Sequence, residues 1–457
     1  MAIATADPAT GHVEKTFDAM SEQEIDRALD RAATAFRAYR RTSFADRERW
    51  MNAAAELLDA RADHIAAIMT TEMGKTLKAA RAEAHKCAAA LRYYAAHAEG
   101  FLADREADAP AVGARRAFVR YEPLGPVLAV MPWNFPLWQV IRFAAPSLMA
   151  GNVGLLKHAS NVPQTALFLE DLFLRAGFPE GVFQTLLVES SAVDRIVRDP
   201  RVRAATLTGS ERAGRAVASA AADEVKPAVL ELGGSDPFIV MPSADVERAA
   251  GVAAVSRCLN NGQSCISAKR FIVAEDVADE FQEAFVAEMS AQRVGDPRDP
   301  ETDVGPLVDE KARAGVEALV ADAVERGATV LCGGTRPDGP GWYYPPTVVA
   351  DVTPDMRMFH EEVFAPVASL FRVADADAAI DLANATGFGL GSNVWTGDAA
   401  ERDRFVRELE AGQVFVNGMT TSYPELPFGG VKRSGYGREL SDPGIHAFCN
   451  AKTVWIG

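Results

Sequence analysis

After residue 126, short apolar runs alternate with stretches whose apolar side chains recur at a helical spacing. The first predicted strands are 127–131, 153–157, 182–188, 204–208 and 225–231, and the predicted helices between them are 163–176, 192–198 and 210–221. Strands that are apolar along their whole length are buried on both faces, so this order predicts a parallel sheet with helices on each side. Such sheets bind ligands at the carboxyl ends of their strands, where we therefore expect a functional site.

A second alternation follows between residues 238 and 416. Its predicted strands are 238–241, 329–331, 367–371, 392–395 and 414–416, and its predicted helices are 245–259, 277–291 and 311–326. The pattern indicates an α/β fold with two doubly wound parallel-sheet domains. Residues 21–101 are rich in Ala, Glu and Arg at a helical period, which predicts a helical layer. Residues 104–121 are polar and extended, as is typical of a hairpin arm.

Charge and cysteine usage disfavour several classes of protein. The 457 residues include 47 Lys and Arg against 63 Asp and Glu, a net charge of −16, which disfavours a nucleic-acid partner and an anionic membrane surface. No apolar run reaches the roughly 20 residues of a membrane-spanning helix, and the N-terminus lacks the pattern of a signal peptide. The five cysteines are scattered without the spacing of a metal site, so we expect no metal ion and a cytoplasmic location.

Two motifs carry side chains suited to covalent catalysis. Residues 260–265 read Asn-Asn-Gly-Gln-Ser-Cys after a predicted helix, and Gly262 permits a tight turn just before the Cys265 thiol, a good nucleophile near neutral pH. Glu231 ends a predicted strand before two glycines, and a partly desolvated carboxylate there can act as a general base. On these residues alone, a buried structural cysteine and a solvated strand-end glutamate stay open as alternatives.

Two further motifs offer polar groups at strand ends. Asn134 stands in the sequence Pro-Trp-Asn-Phe-Pro (132–136), and its amide can donate to an oxyanion, although a rigid turn also explains the pattern. Residues 208–214 (Thr-Gly-Ser-Glu-Arg-Ala-Gly) span a strand-to-helix junction that can receive a pyrophosphate. Neither this stretch nor the Gly-Lys-Thr of 74–76 completes a P-loop, which disfavours a nucleotide kinase or an ATPase.

Together these motifs resemble those of the aldehyde dehydrogenase superfamily. Six stretches occur in that family's order: PWNFP at 132–136, LTGSERAG at 207–214, LELGG at 230–234, NNGQSC at 260–265, EEVFAPV at 361–367 and PFGGVKRSGYGREL at 427–440. The separation of 34 positions between Glu231 and Cys265 is also similar. The resemblance begins at Asp7, covers nearly the whole chain, and extends to the short bacterial NADP-dependent succinate-semialdehyde dehydrogenases.

The resemblance implies an aldehyde dehydrogenase-like arrangement of domains. Residues 1–103 and 122–230 would form the dinucleotide-binding domain, and residues 231–433 the catalytic domain with the nucleophilic cysteine. Residues 104–121 and 434–457 would form a small β oligomerisation element, whose exposed edge pairs with a neighbouring subunit. A homodimer or a homotetramer is therefore expected.

The resemblance also implies the catalytic roles. Cys265 would attack the aldehyde carbonyl, while the Asn134 amide and the Cys265 backbone N–H hold the oxyanion of the thiohemiacetal. Hydride then passes to the nicotinamide, and Glu231 activates water to hydrolyse the resulting thioester. These roles agree with the chemistry of a soft nucleophile, a neutral donor and a carboxylate base.

For the cofactor, the resemblance implies eight residues: Trp133, Lys157, Ser160, Gly209, Ser210, Leu232, Glu362 and Phe364. Lys157 would meet the adenosine ribose, Glu362 the nicotinamide ribose, and the Gly209-Ser210 turn the pyrophosphate. NAD-preferring members commonly have Glu where this chain has Ser160. Because serine does not repel a 2′-phosphate, we expect NADP to be preferred, with NAD as the alternative.

The implied substrate is succinate semialdehyde, a small acid aldehyde. Arg142 aligns with an arginine that binds the far carboxylate in succinate-semialdehyde dehydrogenases, and Ser422 adds a hydroxyl to the same pocket. Leu259 occupies the place of a second such arginine, and Ser267 that of a second cysteine. Another short or medium aldehyde, such as glutarate semialdehyde, is the alternative within the class. A thiol hydrolase and a non-catalytic binding relative are the alternatives outside it.

Overall fold

The computed structural model describes residues 3–457 and contains helices and strands in mixed order. The helices are α1 (Glu22–Tyr39), α2 (Phe44–Ala60), α3 (Ala62–Met73), α4 (Leu77–Phe101), α5 (Trp138–Ala150), α6 (Pro163–Arg175), α7 (Val193–Arg198), α8 (Glu211–Asp223), α9 (Val246–Cys258), α10 (Glu275–Ala291), α11 (Glu310–Glu325), α12 (Arg357–His360), α13 (Ala376–Asn384), α14 (Ala399–Glu408) and α15 (Ser441–His446). The strands are β1 (Ile3–Asp7), β2 (His12–Phe17), β3 (Arg105–Glu106), β4 (Arg116–Pro123), β5 (Pro126–Val130), β6 (Val153–Lys157), β7 (Phe183–Thr185), β8 (Ala204–Thr208), β9 (Ala228–Glu231), β10 (Pro237–Val240), β11 (Arg270–Ala274), β12 (Thr329–Cys332), β13 (Thr347–Ala350), β14 (Val367–Val373), β15 (Asn393–Trp395), β16 (Phe415–Val416), β17 (Gly435–Tyr436) and β18 (Cys449–Ile456).

Two large sheets organise these elements. The first has the order β17-β9-β8-β5-β6-β7 and is parallel except for β17. The second has the order β12-β13-β14-β11-β10-β15-β16 and is parallel except for the edge strand β12. The predicted fold class, α/β with two parallel sheets, is therefore confirmed.

Apolar side chains explain why the second sheet is covered on both faces. Phe238 and Val240 of β10 pack into one buried cluster, whereas Ile239 between them packs into another. Successive strand residues point to opposite faces, so a strand that is apolar at every position needs a helix layer on each side.

Several predicted elements differ from the observed ones. The sequence pattern did not indicate β11 or β13, two strands inside the second sheet, nor the β1-β2 hairpin. β11 runs directly into α10 without a turn residue, so its apolar run is indistinguishable from the start of that helix. The predicted helical layer is divided into four helices, since Ser43 and Thr76 cap new helices and Gly74 ends α3 in a left-handed conformation.

A third, antiparallel sheet contains part of the predicted oligomerisation element. Its order is β18-β4-β3, and β18 pairs with β4 along eight residues. Two boundaries differ from the prediction: β4 extends to Pro123, and Gly435–Tyr436 pairs with β9 of the first sheet instead of joining this one. The chain thus returns to the first sheet at residue 435 before it reaches the arm. Among the described residues, no helix is long and apolar enough to cross a membrane.

Candidate active site

The turn that carries Cys265 has an unusual backbone. Helix α9 ends at Cys258, and Asn260, Asn261 and Gly262 follow with φ angles of 55°, 59° and 72°. Asparagine and glycine are the residues that adopt this left-handed conformation most readily. A Cβ atom on Gly262 would overlap the backbone of Pro366, so this position requires glycine for space as well. The sequence NNG thus sets the direction from which the chain approaches Cys265.

Side-chain amides hold this turn against three distant segments. Asn261 Nδ2 donates to the carbonyls of Gly74 (2.8 Å) and Pro306 (3.0 Å), and its Oδ1 accepts from the Gly305 N–H (2.8 Å). Asn260 Nδ2 donates to the backbone carbonyl of Asn134 at 2.8 Å. The hydrogen bond from Asn260 to Asn134 fixes the PWNFP turn against the turn that carries Cys265. Asn134 and Cys265 are therefore held by one hydrogen-bond network.

Lys269 is a functional residue that the sequence pattern did not indicate. Its buried ammonium donates to the carbonyls of Ser264 (3.0 Å), Cys265 (2.8 Å) and Ser267 (3.1 Å). Burial lowers the pKa of this lysine, whereas the nearby carboxylate of Glu362 raises it. Three carbonyls on one cation hold the segment around the thiol rigidly. A lone lysine at the start of a strand carries no sequence signal of such a role.

Cys265 lies where two cavities meet, one of about 240 Å³ and one of about 250 Å³. The thiol is half-buried, and burial raises its pKa to about 12, although Arg142 and Lys269 act in the opposite direction. The resting thiol is therefore neutral near pH 7. A group bound in either cavity would reach the same sulfur atom.

The cavity of about 250 Å³ brings together six of the residues predicted to bind the cofactor. It is lined by Trp133, Gly209, Ser210, Leu232, Glu362 and Phe364, together with Asn134 and Cys265. Trp133 and Phe364 meet edge to face, with ring centroids 5.9 Å apart. Ser210 caps the N-terminus of α8, where backbone N–H groups favour an anion. We refer to this space as the cofactor-side cavity.

Glu362 is restrained from two sides in the cofactor-side cavity. Its Oε1 accepts from the Gly234 N–H at 3.1 Å and lies 3.6 Å from the Lys269 ammonium. A Cβ atom on Gly233 would collide with the same carboxylate, so this glycine lets Glu362 approach the backbone closely. Glu362 thus lines the cofactor-side cavity and also lies beside Lys269, which holds the segment around Cys265.

Lys157, predicted to meet the adenosine ribose, lies apart from these residues. It lines a third cavity of about 310 Å³ that also contains Arg212 at the first turn of α8. Burial lowers the pKa of Lys157. Ser160 follows three residues later, but the described residues that line this cavity do not include it. The predicted role of Ser160 in the preference for NADP thus stays a prediction.

Glu231 is the last residue of β9, and it is buried with both carboxyl oxygens lacking a hydrogen-bond partner among the described residues. Burial raises its pKa well above the usual range, and the neighbouring Glu439 adds to this, whereas Arg142 and Arg438 lower it. An ideal Cβ on Gly429 would lie 2.6 Å from Glu231 Oε1. The carboxyl group of Glu231 thus has no fixed hydrogen-bond partner among the described residues, and Glu231 lines neither of the two cavities at Cys265.

Arg142 has a different immediate partner from the one predicted. It is buried on α5, forms an ion pair with Glu439, and its Nη2 donates to Thr208 Oγ1 at 3.4 Å. The guanidinium also lies 4.4 Å from the centroid of the Phe428 ring. Glu439 belongs to a motif that the sequence analysis singled out, but no role was expected for it. The charge of Arg142 is thus already paired with that of Glu439. Its predicted contact with a substrate carboxylate stays a prediction.

The cavity on the other side of Cys265 contains the predicted substrate residues. Arg142 and Ser422 line it together with Leu259 and Phe428. Ser422 Oγ accepts hydrogen bonds from Trp138 Nε1 at 2.8 Å and from Lys86 Nζ at 3.0 Å. We refer to this space as the substrate-side cavity. Lys86 was not among the predicted substrate residues, because it lies in the stretch interpreted only as a helical layer.

Asn134, the predicted oxyanion donor, lies in the wall of the cofactor-side cavity. Its Nδ2 donates to the carbonyl of Gln263 at 3.2 Å, two residues before the thiol. The structure therefore brings Asn134 and Cys265 into one wall.

Comparisons with known proteins agree with this geometry. The model of the aldehyde dehydrogenase family matches residues 1–454. A succinate-semialdehyde dehydrogenase (NADP(+)) of Mycobacterium avium strain 104 is 66% identical over 458 residues, covering 100% of this chain and 97% of the relative. Its counterpart in Mycobacterium tuberculosis strain H37Rv is 64% identical and covers 100% of both chains.

A solved structure is similar to this chain in both sequence and fold. The succinic semialdehyde dehydrogenase of Streptococcus pyogenes, crystallised with NADP+ as the cofactor, is 37% identical to this chain. The two share a TM-score of 0.96, and the match covers 99% of each chain. The motifs, the fold and these matches lead to one conclusion: the chain belongs to the aldehyde dehydrogenase family.

Proposed function

We propose that this protein oxidises succinate semialdehyde to succinate with NADP as the oxidant. The observation that carries the proposal is the position of Cys265, whose thiol is shared by a substrate-side cavity with cationic side chains and a cofactor-side cavity. The relatives described above carry this activity in their names. A thiol hydrolase would have no use for the second cavity, and a non-catalytic relative would have no use for a nucleophile between two cavities.

The residues around the cofactor-side cavity fit a nicotinamide dinucleotide. The N-terminus of α8 at Ser210 suits a pyrophosphate, and the carboxylate of Glu362 suits ribose hydroxyl groups. Lys157 and Arg212 supply positive charge to the third cavity, as a 2′-phosphate requires. When bound, the nicotinamide accepts the hydride that leaves the substrate carbon.

Each catalytic residue then has one task. The Cys265 thiol gives up its proton to solvent water and its sulfur bonds to the aldehyde carbon, while the electron pair of the C=O bond moves to oxygen. The Asn134 amide and the Cys265 N–H donate to that oxygen. After oxidation the acyl group is held as a thioester. Glu231 takes a proton from water, the hydroxide oxygen bonds to the acyl carbon, and the C–S bond breaks to release succinate and the cysteine.

Kinetics with matched substrates tests this function. We expect the purified enzyme to reduce NADP faster with succinate semialdehyde than with glutarate semialdehyde or butanal, and to prefer NADP over NAD in kcat/KM. Ser160→Glu should shift the preference toward NAD, because a carboxylate repels the 2′-phosphate. Cys265→Ser should abolish reduction with every aldehyde. Equal kcat/KM values for all three aldehydes would disprove the proposed substrate specificity. Comparable kcat/KM values for NADP and NAD would disprove the proposed cofactor preference.

The subunits associate, in this proposal, through the arm formed by β3, β4 and β18, and the enzyme works in the cytoplasm. Strand β18 lies at the edge of its sheet, with its outer backbone groups available for pairing. The exposed Trp455 and Val112 on the same arm add apolar surface. These features support a homodimer or a homotetramer.

A further inference from the structure

We propose that Lys86 binds the far carboxylate of the substrate and thereby selects acid aldehydes over neutral ones. The inference rests on the proposed function, because it concerns how the same cavity recognises its substrate. Lys86 lies on α4 and lines the substrate-side cavity with Cys265, Arg142 and Ser422.

Hydrogen bonding around Ser422 leaves donors without acceptors. The Ser422 hydroxyl already accepts from Trp138 Nε1 and from Lys86 Nζ, so both of its lone pairs are used. Its own proton has no acceptor among the described residues, and the ammonium of Lys86 has two further protons to donate. A cluster that contains only donors is complementary to a group that contains only acceptors. An ionised carboxylate is such a group.

Lys86 also lacks a counter-charge. No carboxylate of residues 3–457 forms an ion pair with it, and the nearest acidic residue on its helix, Glu83, is occupied. Glu83 pairs with Lys75 and accepts from the N–H groups of Leu137 and Trp138, both at 2.9 Å. Burial lowers the pKa of Lys86 to about 8, which reflects the cost of holding this charge unpaired. An anion in the cavity would remove that cost.

The other cations of the cavity are already neutralised. Arg142 is paired with Glu439, and Lys75 with Glu83. The position where related enzymes carry a second arginine holds Leu259, which lines the cavity with an apolar side chain. Lys86 therefore supplies from α4 the free charge that Leu259 does not. The Trp138 ring, whose centroid lies 4.2 Å from Lys86 Nζ, fixes the position of the ammonium.

The test compares substrates that differ only in the far charge. Lys86→Met keeps the aliphatic stem and removes the charge, and Lys86→Gln does so with a polar end. The measured quantity is kcat/KM for succinate semialdehyde divided by kcat/KM for butanal, with NADP. We expect this ratio to fall by roughly 10- to 100-fold in both variants, mainly through KM for the acid aldehyde. Butanal kinetics should hardly change, which also shows that the variants fold.

A matched control separates local from general charge effects. Lys78→Met removes a lysine from the same helix, but Lys78 is exposed and pairs with Asp303 at 2.7 Å. The ratio of kcat/KM for succinate semialdehyde to kcat/KM for butanal should be the same in the Lys78→Met variant as in the unmodified enzyme. Equal losses on both substrates in the Lys86 variants, or an unchanged ratio, would overturn the inference while the proposed function stands. A ratio near one in the unmodified enzyme would overturn both.

Discussion

Desolvation sets the resting protonation state of both Cys265 and Glu231. Each pKa is raised mainly by burial, and the cations nearby do not compensate for it. Charged forms are disfavoured where water is excluded and hydrogen-bond partners are few. The Cys265 thiol is therefore neutral near pH 7, and burial favours the protonated form of the Glu231 carboxyl group. The proposed mechanism requires the anionic form of each, so the rate of catalysis should rise with pH above neutrality.

The first prediction concerns the reactivity of Cys265. Only the thiolate is alkylated, and the pKa of about 12 means that its fraction grows with pH throughout the neutral and mildly alkaline range. Iodoacetamide should therefore inactivate the cofactor-free enzyme about tenfold faster for each pH unit between roughly pH 7 and 9. The loss of activity with time gives the rate. A plateau within that interval would mean that the thiolate is already formed.

At the scale of single elements, the loop between β16 and β17 shapes the surroundings of Glu231, the proposed general base. Gly429 in this loop passes so close to Glu231 that a side chain would collide with the carboxyl group. The same loop contributes Phe428, which covers Arg142, and Ser422. This loop thus contacts groups from the first sheet and from α5. The absence of a side chain on Gly429 leaves room for the Glu231 carboxyl group itself.

The second prediction follows from this close approach. Gly429→Ala should lower kcat by about 10²-fold, since displacing a catalytic group by about 1 Å has costs of that size. The first turnover of reduced cofactor should persist, because only hydrolysis of the thioester needs Glu231. Rapid-mixing measurement of the first turnover and of the steady state distinguishes these steps. Glu231→Gln should behave in the same way.

The control for this variant lies in the same loop. A Cβ atom on Gly418 would come no nearer than 3.9 Å to another atom, the Val416 carbonyl oxygen. Gly418→Ala should therefore leave both phases unchanged. If the Gly429 variant lost its first turnover as completely as its steady-state rate, the assigned role of Glu231 in hydrolysis would be wrong.

At the scale of the whole molecule, the arm is the part that the two large sheets do not bury. Strand β18 pairs with β4 on one side only, and most of its residues are exposed. Trp455 is 55% exposed although its indole N–H donates to the Val112 carbonyl at 3.1 Å. An ordered apolar side chain on an unpaired edge favours association with a second subunit.

The third prediction tests the arm directly. Light scattering after size exclusion should give a multiple of the 49.0 kDa chain mass for the unmodified protein. Trp455→Glu should reduce that mass, because a buried unpaired charge destabilises an interface. Val324→Glu adds the same charge at an exposed position of α11 and should not change it. A monomeric unmodified protein would exclude the proposed assembly.

The local sequence pattern was sufficient to predict the position of those site residues that lie in continuous motifs. Strands that are apolar throughout predict their own burial, and the carboxyl ends of β8 and β9 place Gly209 and Glu231 at one edge of the first sheet. The NNG turn before Cys265 follows from backbone preferences alone. The resemblance to a family supplied the roles, whereas the spacing left alternatives open for each residue.

By itself the sequence determined the fold class and the family, because these depend on short-range periodicity and on contiguous motifs. The roles of Cys265 as nucleophile and Glu231 as general base stay predictions. Only the tertiary structure revealed that Arg142 is paired with Glu439, that Lys269 holds the cysteine segment, and that Lys86 reaches Ser422. The last two residues are 336 positions apart in the chain. Whether a charge is free or neutralised depends on what burial brings beside it, and contacts between distant segments leave no periodic trace in the sequence.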